Sequence, residues 1–282
     1  MWAVIVDCTQ TSGRAPAVEQ AVEVVRSGKL LVLPTDTVYG IGADAFDKVA
    51  VAMVLAAKHR SRDMPPPVLV PGPRTVDGLA TDVPMFAQIL MRAFWPGPLT
   101  LVMKAQRSLD WDLGKTNGTV ALRMPDDDVA LAVLAEVGPM AVTSANLSGQ
   151  PAATTAHEAQ EQLGGAVEVY LDAGPRCDQS ASTIVDCTGA EPVVLRHGSL
   201  PAQRIREVLG DTRLHDEPPP VLSAFRKGST GRSDDITRQV GSMRPTGLSV
   251  SPDTLRQVPP GDGGQGGAGP TVSEAVGDPD TA

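Results

Sequence analysis

Apolar positions in the first 215 residues fall into two kinds of run. Val18, Ala21, Val22 and Val25 recur at helical spacing between Pro16, suited to a helix start, and Gly28, a terminator. They predict a short amphipathic helix. Leu30-Leu31-Val32-Leu33 is instead continuous and stopped by Pro34, the pattern of a strand buried on both faces. Asp47 is placed to cap a second helix through Ala57, with Val51, Val54 and Leu55 on one side. Val68-Leu69-Val70 reads as a strand ended by Pro71-Gly72-Pro73, and Met85 to Phe94 as a helix closed by Trp95-Pro96-Gly97-Pro98. Further strands are predicted at Leu99 to Met103, Thr119 to Arg123, Met140 to Thr143, Val167 to Leu171, Thr183 to Asp186 and Val193 to Leu195. Helices are predicted at Asp127 to Val137, Ala156 to Leu163 and Pro201 to Leu209. Interleaved strands and helices give an α/β domain over residues 1–215. Several strand-to-strand links are too short for crossovers, so the sheet is expected to be mixed.

The pattern gives out near His215. Residues 216–282 hold 11 Gly and 9 Pro among 67 positions, with Phe225 as the one aromatic. That composition cannot bury enough apolar surface to offset its ordering entropy, and it predicts a low-complexity, disordered tail. The whole chain carries 24 Lys+Arg against 33 Asp+Glu, a net charge of -9. This argues against a protein that coats nucleic acid by charge alone, although a local basic groove is compatible with it. Aromatics at 3% are too few for a base-stacking platform. No apolar run reaches the roughly 18 residues of a membrane span, and no secretory signal is visible, so a cytoplasmic protein is expected. Cys8, Cys177 and Cys187 have neither disulfide-framework nor zinc spacing, and the four His are scattered, so no metal site is expected.

Gly40-Ile41-Gly42-Ala43-Asp44-Ala45 fits GxGxxA only superficially: six residues separate it from the strand end, and no helix follows at once. Asp126-Asp127-Asp128 precedes a helix, where capping explains it. Other segments carry more chemistry. Pro34-Thr35-Asp36-Thr37-Val38-Tyr39-Gly40-Ile41-Gly42 reads as a hydroxyl- and glycine-rich loop at a strand end, where α/β folds bind ligands. A self-bonded Asp turn explains that loop about as well. Lys58-His59-Arg60-Ser61-Arg62 ends a helix and reads either as dipole-favoured cations or as an anion clamp. Thr143-Ser144-Ala145-Asn146-Leu147-Ser148-Gly149 follows a buried strand and offers hydroxyl, amide and N–H groups. Ser180-Ala181-Ser182-Thr183-Ile184-Val185-Asp186 and Val194-Leu195-Arg196-His197-Gly198 complete the series.

Taken in order, PTDTVYGIG, the KxR pair, FWPGPLTLV, TVALRMP, TSANLSG, STIVD and LRHG resemble the successive motifs of the YrdC-like family of L-threonylcarbamoyladenylate synthases, over roughly residues 15 to 210. The resemblance implies a twisted α/β sheet with flanking helices and a concave ligand-binding face. It implies a reaction joining L-threonine, bicarbonate and ATP into threonylcarbamoyl-AMP and pyrophosphate, with Mg²⁺ arriving on ATP. The implied partners are tRNA and a downstream threonylcarbamoyl-transferase complex. It assigns Thr37, Arg123, Ser144 and Ser182 to L-threonine. Arg60, Thr119, Asn146, Thr154 and Arg196 go to the nucleotide with Lys58 as a further cation, and Lys58 and Arg60 are the expected catalytic pair. Three departures stand out: His59-Arg60-Ser61 and Met64-Pro65-Pro66-Pro67 where relatives often have Gly-Arg-Pro and Pro-Leu, and Leu69 where some carry His. Two rivals remain on the sequence: a catalytically idle RNA-binding relative, and a carbamoyl-transfer enzyme of hydrogenase maturation.

Overall fold

The computed structural model describes residues 3–177 and 180–216; the expectation for the tail beyond Asp216 lies outside them. The chain begins with β1 (Val4–Asp7), α1 (Thr11–Arg26), β2 (Leu31–Leu33), β3 (Gly40–Asp44) and α2 (Lys48–Ala57). It continues through β4 (Val68–Leu69), the short α3 (Val76–Leu79), β5 (Ala80–Thr81), α4 (Met85–Phe94), β6 (Leu99–Ala105) and β7 (Thr119–Arg123). After α5 (Asp128–Val137), β8 (Met140–Ser144) and α6 (Ala156–Leu163) come β9 (Val169–Asp172), β10 (Thr183–Asp186), β11 (Val193–Arg196) and α7 (Ala202–Leu209).

One sheet runs β1-β9-β2-β3-β8-β4-β7-β6-β10-β11, with β5 added beside β6. It is mixed: β1–β9, β2–β9, β4–β7 and β6–β10 are parallel, and the remaining pairs are antiparallel. Along β2 successive side chains leave on opposite faces. Leu31 and Leu33 enter a core with Ala21, Val25, Val133 and Leu134 of α1 and α5. Leu30 and Val32 enter another with Val54 of α2 and Ala156 of α6. Helices thus cover both faces of this half of the sheet, which is why β2 reads as an unbroken apolar run.

The other half is covered on one face only. Leu99, Leu101 and Met103 of β6, Leu122 of β7 and Val185 of β10 pack with Leu90 and Met91 of α4 and Ile205 and Leu209 of α7. The alternate residues Thr100, Val102, Ala121, Arg123, Ile184 and Asp186 point the other way and line a cavity.

Two expectations need correction, and β1 went unpredicted. Gly40 to Gly42 belong to a strand, not a loop: Gly42 pairs with Val142 in register, and the glycines are there because Val142 crowds them. A Cβ on Gly42 would lie 2.5 Å from Val142 Cγ2 and 2.9 Å from the Ala141 carbonyl oxygen. Helix α1 starts at Thr11, so Pro16 does not open it but lies in its second turn, at the cost of the one hydrogen bond its missing N–H would make to the Ser12 carbonyl. Strand β1 is too short for a sequence pattern and is held by its parallel partner β9.

Candidate active site

The cavity over the bare half-sheet measures about 550 Å³, within the range of small-molecule sites. Its floor is strands; its walls come from the 34–39, 60–67 and 113–117 segments. Seven residues singled out in the sequence line it together: Thr37, Arg60, Thr119, Arg123, Ser144, Ser182 and Arg196.

Arg123 ends β7 and is 6% exposed. Its Nε donates to the Gly97 carbonyl at 3.0 Å, one terminal nitrogen to Thr37 Oγ1 at 3.1 Å, and the other to Asp36 Oδ1. The Gly97 carbonyl is presented by the WPGP turn, where Gly97 has a φ of 155° and a Cβ would meet the Phe94 carbonyl oxygen at 2.6 Å. Asp36 also accepts from the Asp126 N–H at 3.0 Å, so it ties the strand end to the 34–37 turn. A guanidinium has five N–H groups. Three are used here, and one on each terminal nitrogen remains for a ligand.

Arg196 on β11 reaches back to Ser182, just before β10, donating to its carbonyl at 2.7 and 3.1 Å and to its Oγ at 3.1 Å. Ser182 Oγ in turn lies 2.8 Å from Thr100 Oγ1. Arg60 is braced by the Met64 carbonyl at 2.7 Å and by Thr143 Oγ1 at 2.8 Å. Burial lowers the pKa of all three guanidiniums, and at Arg196 the charges of Arg123 and Arg60 lower it further. Arginine still stays charged at neutral pH. The three mutually repelling guanidiniums, with Lys115 in the wall, outnumber Asp186, the one carboxylate among the lining residues, while Asp36 beside them is paired with Arg123, so the site favours anions.

Lys58, Asn146 and Thr154 do not line this cavity. Lys58 is 2% exposed, and its ammonium donates to the carbonyls of Ser144 and Asn146 and to Asn146 Oδ1. Burial, then the Arg60 charge, pulls it down to about 7. Thr154 bonds Glu158 at the head of α6. Several cavity residues went unassigned in the sequence. Thr35 and Thr143, and Asp36 just behind the lining, sit inside the quoted motifs but act by bracing their neighbours. Thr100 also sits inside a quoted motif, FWPGPLTLV, as a lone hydroxyl in an apolar strand. The sequence departures are in the wall itself, since Pro65, Pro66, Pro67 and Leu69 all line the cavity.

Among the described residues no three His, Cys, Asp or Glu side chains are grouped to hold a metal, and no helix is long and apolar enough to cross a membrane.

Residues 23–198 match the model of the Sua5/YciO/YrdC family, described as "Telomere recombination". A Mycobacterium leprae protein provisionally named a threonylcarbamoyl-AMP synthase is 56% identical over 206 residues, covering 73% of this chain and 94% of that protein. The Pyrococcus abyssi protein named threonylcarbamoyl-AMP synthase is 39% identical over 192 residues, covering 68% of this chain and 56% of that one. The crystal structure of P. abyssi Sua5 complexed with L-threonine is similar with a TM-score of 0.72 at 36% identity, over 76% of this chain and 63% of that one. The motif order, the bare half-sheet with its cations, and these likenesses agree: the chain belongs to the Sua5/YciO/YrdC family.

Proposed function

We propose that this chain is a threonylcarbamoyl-AMP synthase, a nucleotidyltransferase that joins L-threonine, bicarbonate and ATP and releases pyrophosphate. The observation that carries the reading is the convergence of Arg60, Arg123 and Arg196 with Ser144 and Ser182 on one cavity. It is supported by the names of the relatives and by the L-threonine complex of the similar P. abyssi protein. Those likenesses do not favour the idle RNA-binding alternative.

The chemistry needs little covalent help from the protein. The free amine of threonine adds bicarbonate, losing water, to give an N-carboxylate. An oxygen of that carboxylate attacks the α-phosphorus of ATP, and the bond to pyrophosphate breaks. Every reactant is anionic, so the barrier lies largely in bringing like charges together and aligning them. Arg123, with one N–H left on each terminal nitrogen, suits the amino acid's carboxylate in a bidentate pair, with Thr37 and Ser182 beside it. Arg60, Arg196 and Thr119 suit the phosphates and nucleoside. Fixed cations aimed at the charge that develops on the expelled pyrophosphate act without reorganisation cost. Mg²⁺ would be carried in on the phosphates, keeping phosphate and water oxygens as ligands. The product suits a downstream threonylcarbamoyl transfer to tRNA, which makes tRNA and that transferase complex the expected partners.

The test is incubation with ATP, L-threonine and labelled bicarbonate followed by chromatography. A labelled adenylate formed only when all three are present, with pyrophosphate released alongside, is the expected result. ATP turnover that ignores threonine would overturn it.

A further inference from the structure

The two cations of the KxR pair part company in the fold. His59 between them has a φ of 53°, a left-handed conformation that turns the chain sharply. Arg60 emerges into the cavity, whereas the Lys58 side chain runs behind the wall, under the 144–148 turn. Its own carbonyl accepts from the Ser148 N–H at 3.0 Å, so Lys58 grips that turn from both its main chain and its side chain.

The amide of Asn146 lies at the centre of the same knot. Its Nδ2 donates to the Leu147 carbonyl at 2.9 Å and to the Gln150 carbonyl at 2.7 Å. Carbonyls only accept, so this end of the amide must be the nitrogen, and the orientation is set by chemistry. The oxygen end then faces the Lys58 ammonium at 3.1 Å and Ser144 Oγ at 2.6 Å. Asn146 Oδ1 carries no proton, so the proton between the two oxygens is the serine's. Ser144 has one proton and spends it inward. What it offers to the cavity is lone pairs.

We infer that Lys58 is a positioning residue that acts through Asn146 to hold Ser144 as a hydrogen-bond acceptor, and that Ser144 receives a donor of the amino-acid substrate, its amine or hydroxyl, rather than a carboxylate or phosphate oxygen. This rests on the proposed activity for the identity of the ligand and goes beyond it in the role of Lys58. An ammonium with three oxygen partners and no opening to the cavity is not a phosphate ligand. Its removal loosens the turn that carries Ser144 and leaves Arg60 where it is, braced independently by Thr143 and Met64.

The first test needs no turnover. The full-length protein is treated with an amine-acetylating reagent, with and without ATP, and read by peptide mass spectrometry. Lys58 is expected to stay unmodified in both samples, while Lys104, which lies outside the cavity with its side chain 51% exposed, is labelled in both. A Lys58 that is labelled in the free protein and protected by ATP would overturn the inference. The second test is a double-mutant cycle on threonine-dependent pyrophosphate release. Lys58→Met and Ser144→Ala should each raise KM for L-threonine on the order of tenfold, leave KM for ATP within about twofold, and cost no more in combination than singly. Additive losses, or a rise confined to KM for ATP, would contradict it. Should the wild type show no threonine-dependent release, the assigned activity fails by itself, and the labelling result still decides the position of Lys58.

Discussion

Arg123 concentrates the residue-scale argument. A nine-tenths buried cation survives in the sheet because Asp36 pairs with it and Gly97 and Thr37 take its remaining inward donors. The planar fork still has one uncommitted N–H on each terminal nitrogen to offer a carboxylate, and lysine cannot reproduce that geometry. Arg123→Lys should therefore raise KM for L-threonine by about tenfold or more while KM for ATP moves little, which steady-state pyrophosphate release measures. Lys58 yields a prediction of a different kind. Its folded-state value is pulled down to about 7, whereas a lysine in the unfolded chain titrates at about 10.4. Between those limits the unfolded state binds the extra proton, so stability rises with pH, by at most about 1.4 kcal/mol per unit. Below the window both states are protonated and the slope vanishes. Urea unfolding at about pH 7.5 and about pH 9 should show this slope in wild type and lose it in Lys58→Met; equal slopes would refute the buried position.

Among the elements, β3 has the narrowest tolerance. It carries Ile41 and Ala43 into the core on one face, and on the other it lies so close to β8 that only glycine fits opposite Val142. Gly42→Ala places a methyl against a backbone carbonyl as well as a side chain, so relaxation cannot come from a rotamer change alone. A loss of about 1–3 kcal/mol, or failure to fold, is expected by denaturant unfolding. Wild-type stability in that variant would mean that β3 and β8 are not paired in this register. The helices are less demanding. Asp47 and Asp127 each accept two N–H groups at the start of α2 and α5, which is why those boundaries were legible from capping chemistry.

Across the whole molecule, a net charge of -9 coexists with a cationic cavity. Attraction for ATP is therefore local, built from desolvated guanidiniums, and not a property of the overall field. The catalytic unit proposed here is residues 1–215. In its support, 206 residues of this chain account for 94% of the M. leprae relative, and the family match ends at residue 198. A chain ending after Asp216, which keeps the Arg206–Asp216 pair, should retain threonine-dependent pyrophosphate release within about threefold of full length. Loss of that activity, with the truncated protein still folded, would assign a catalytic part to residues 217–282.

The amino-acid sequence by itself determined whatever depends on local pattern. Apolar periodicity and caps placed most helices and strands, the short links implied a mixed sheet, and the family resemblance carried by the motifs named seven of the cavity residues. Tertiary structure decided three things that no local pattern holds. Gly40 and Gly42 read as a turn until the side chain of Val142 explains them. Thr100, Val102 and Ile184 look like ordinary strand residues until the sheet is assembled with one half uncovered, which turns alternate side chains into a binding floor. Lys58 and Arg60, adjacent in the motif, serve different sides of the wall because one left-handed residue and a turn from 88 residues downstream separate them. The physical reason is the same each time. Hydrogen-bond partners and steric neighbours distant in the chain set the direction of a side chain, and direction decides whether it meets the ligand.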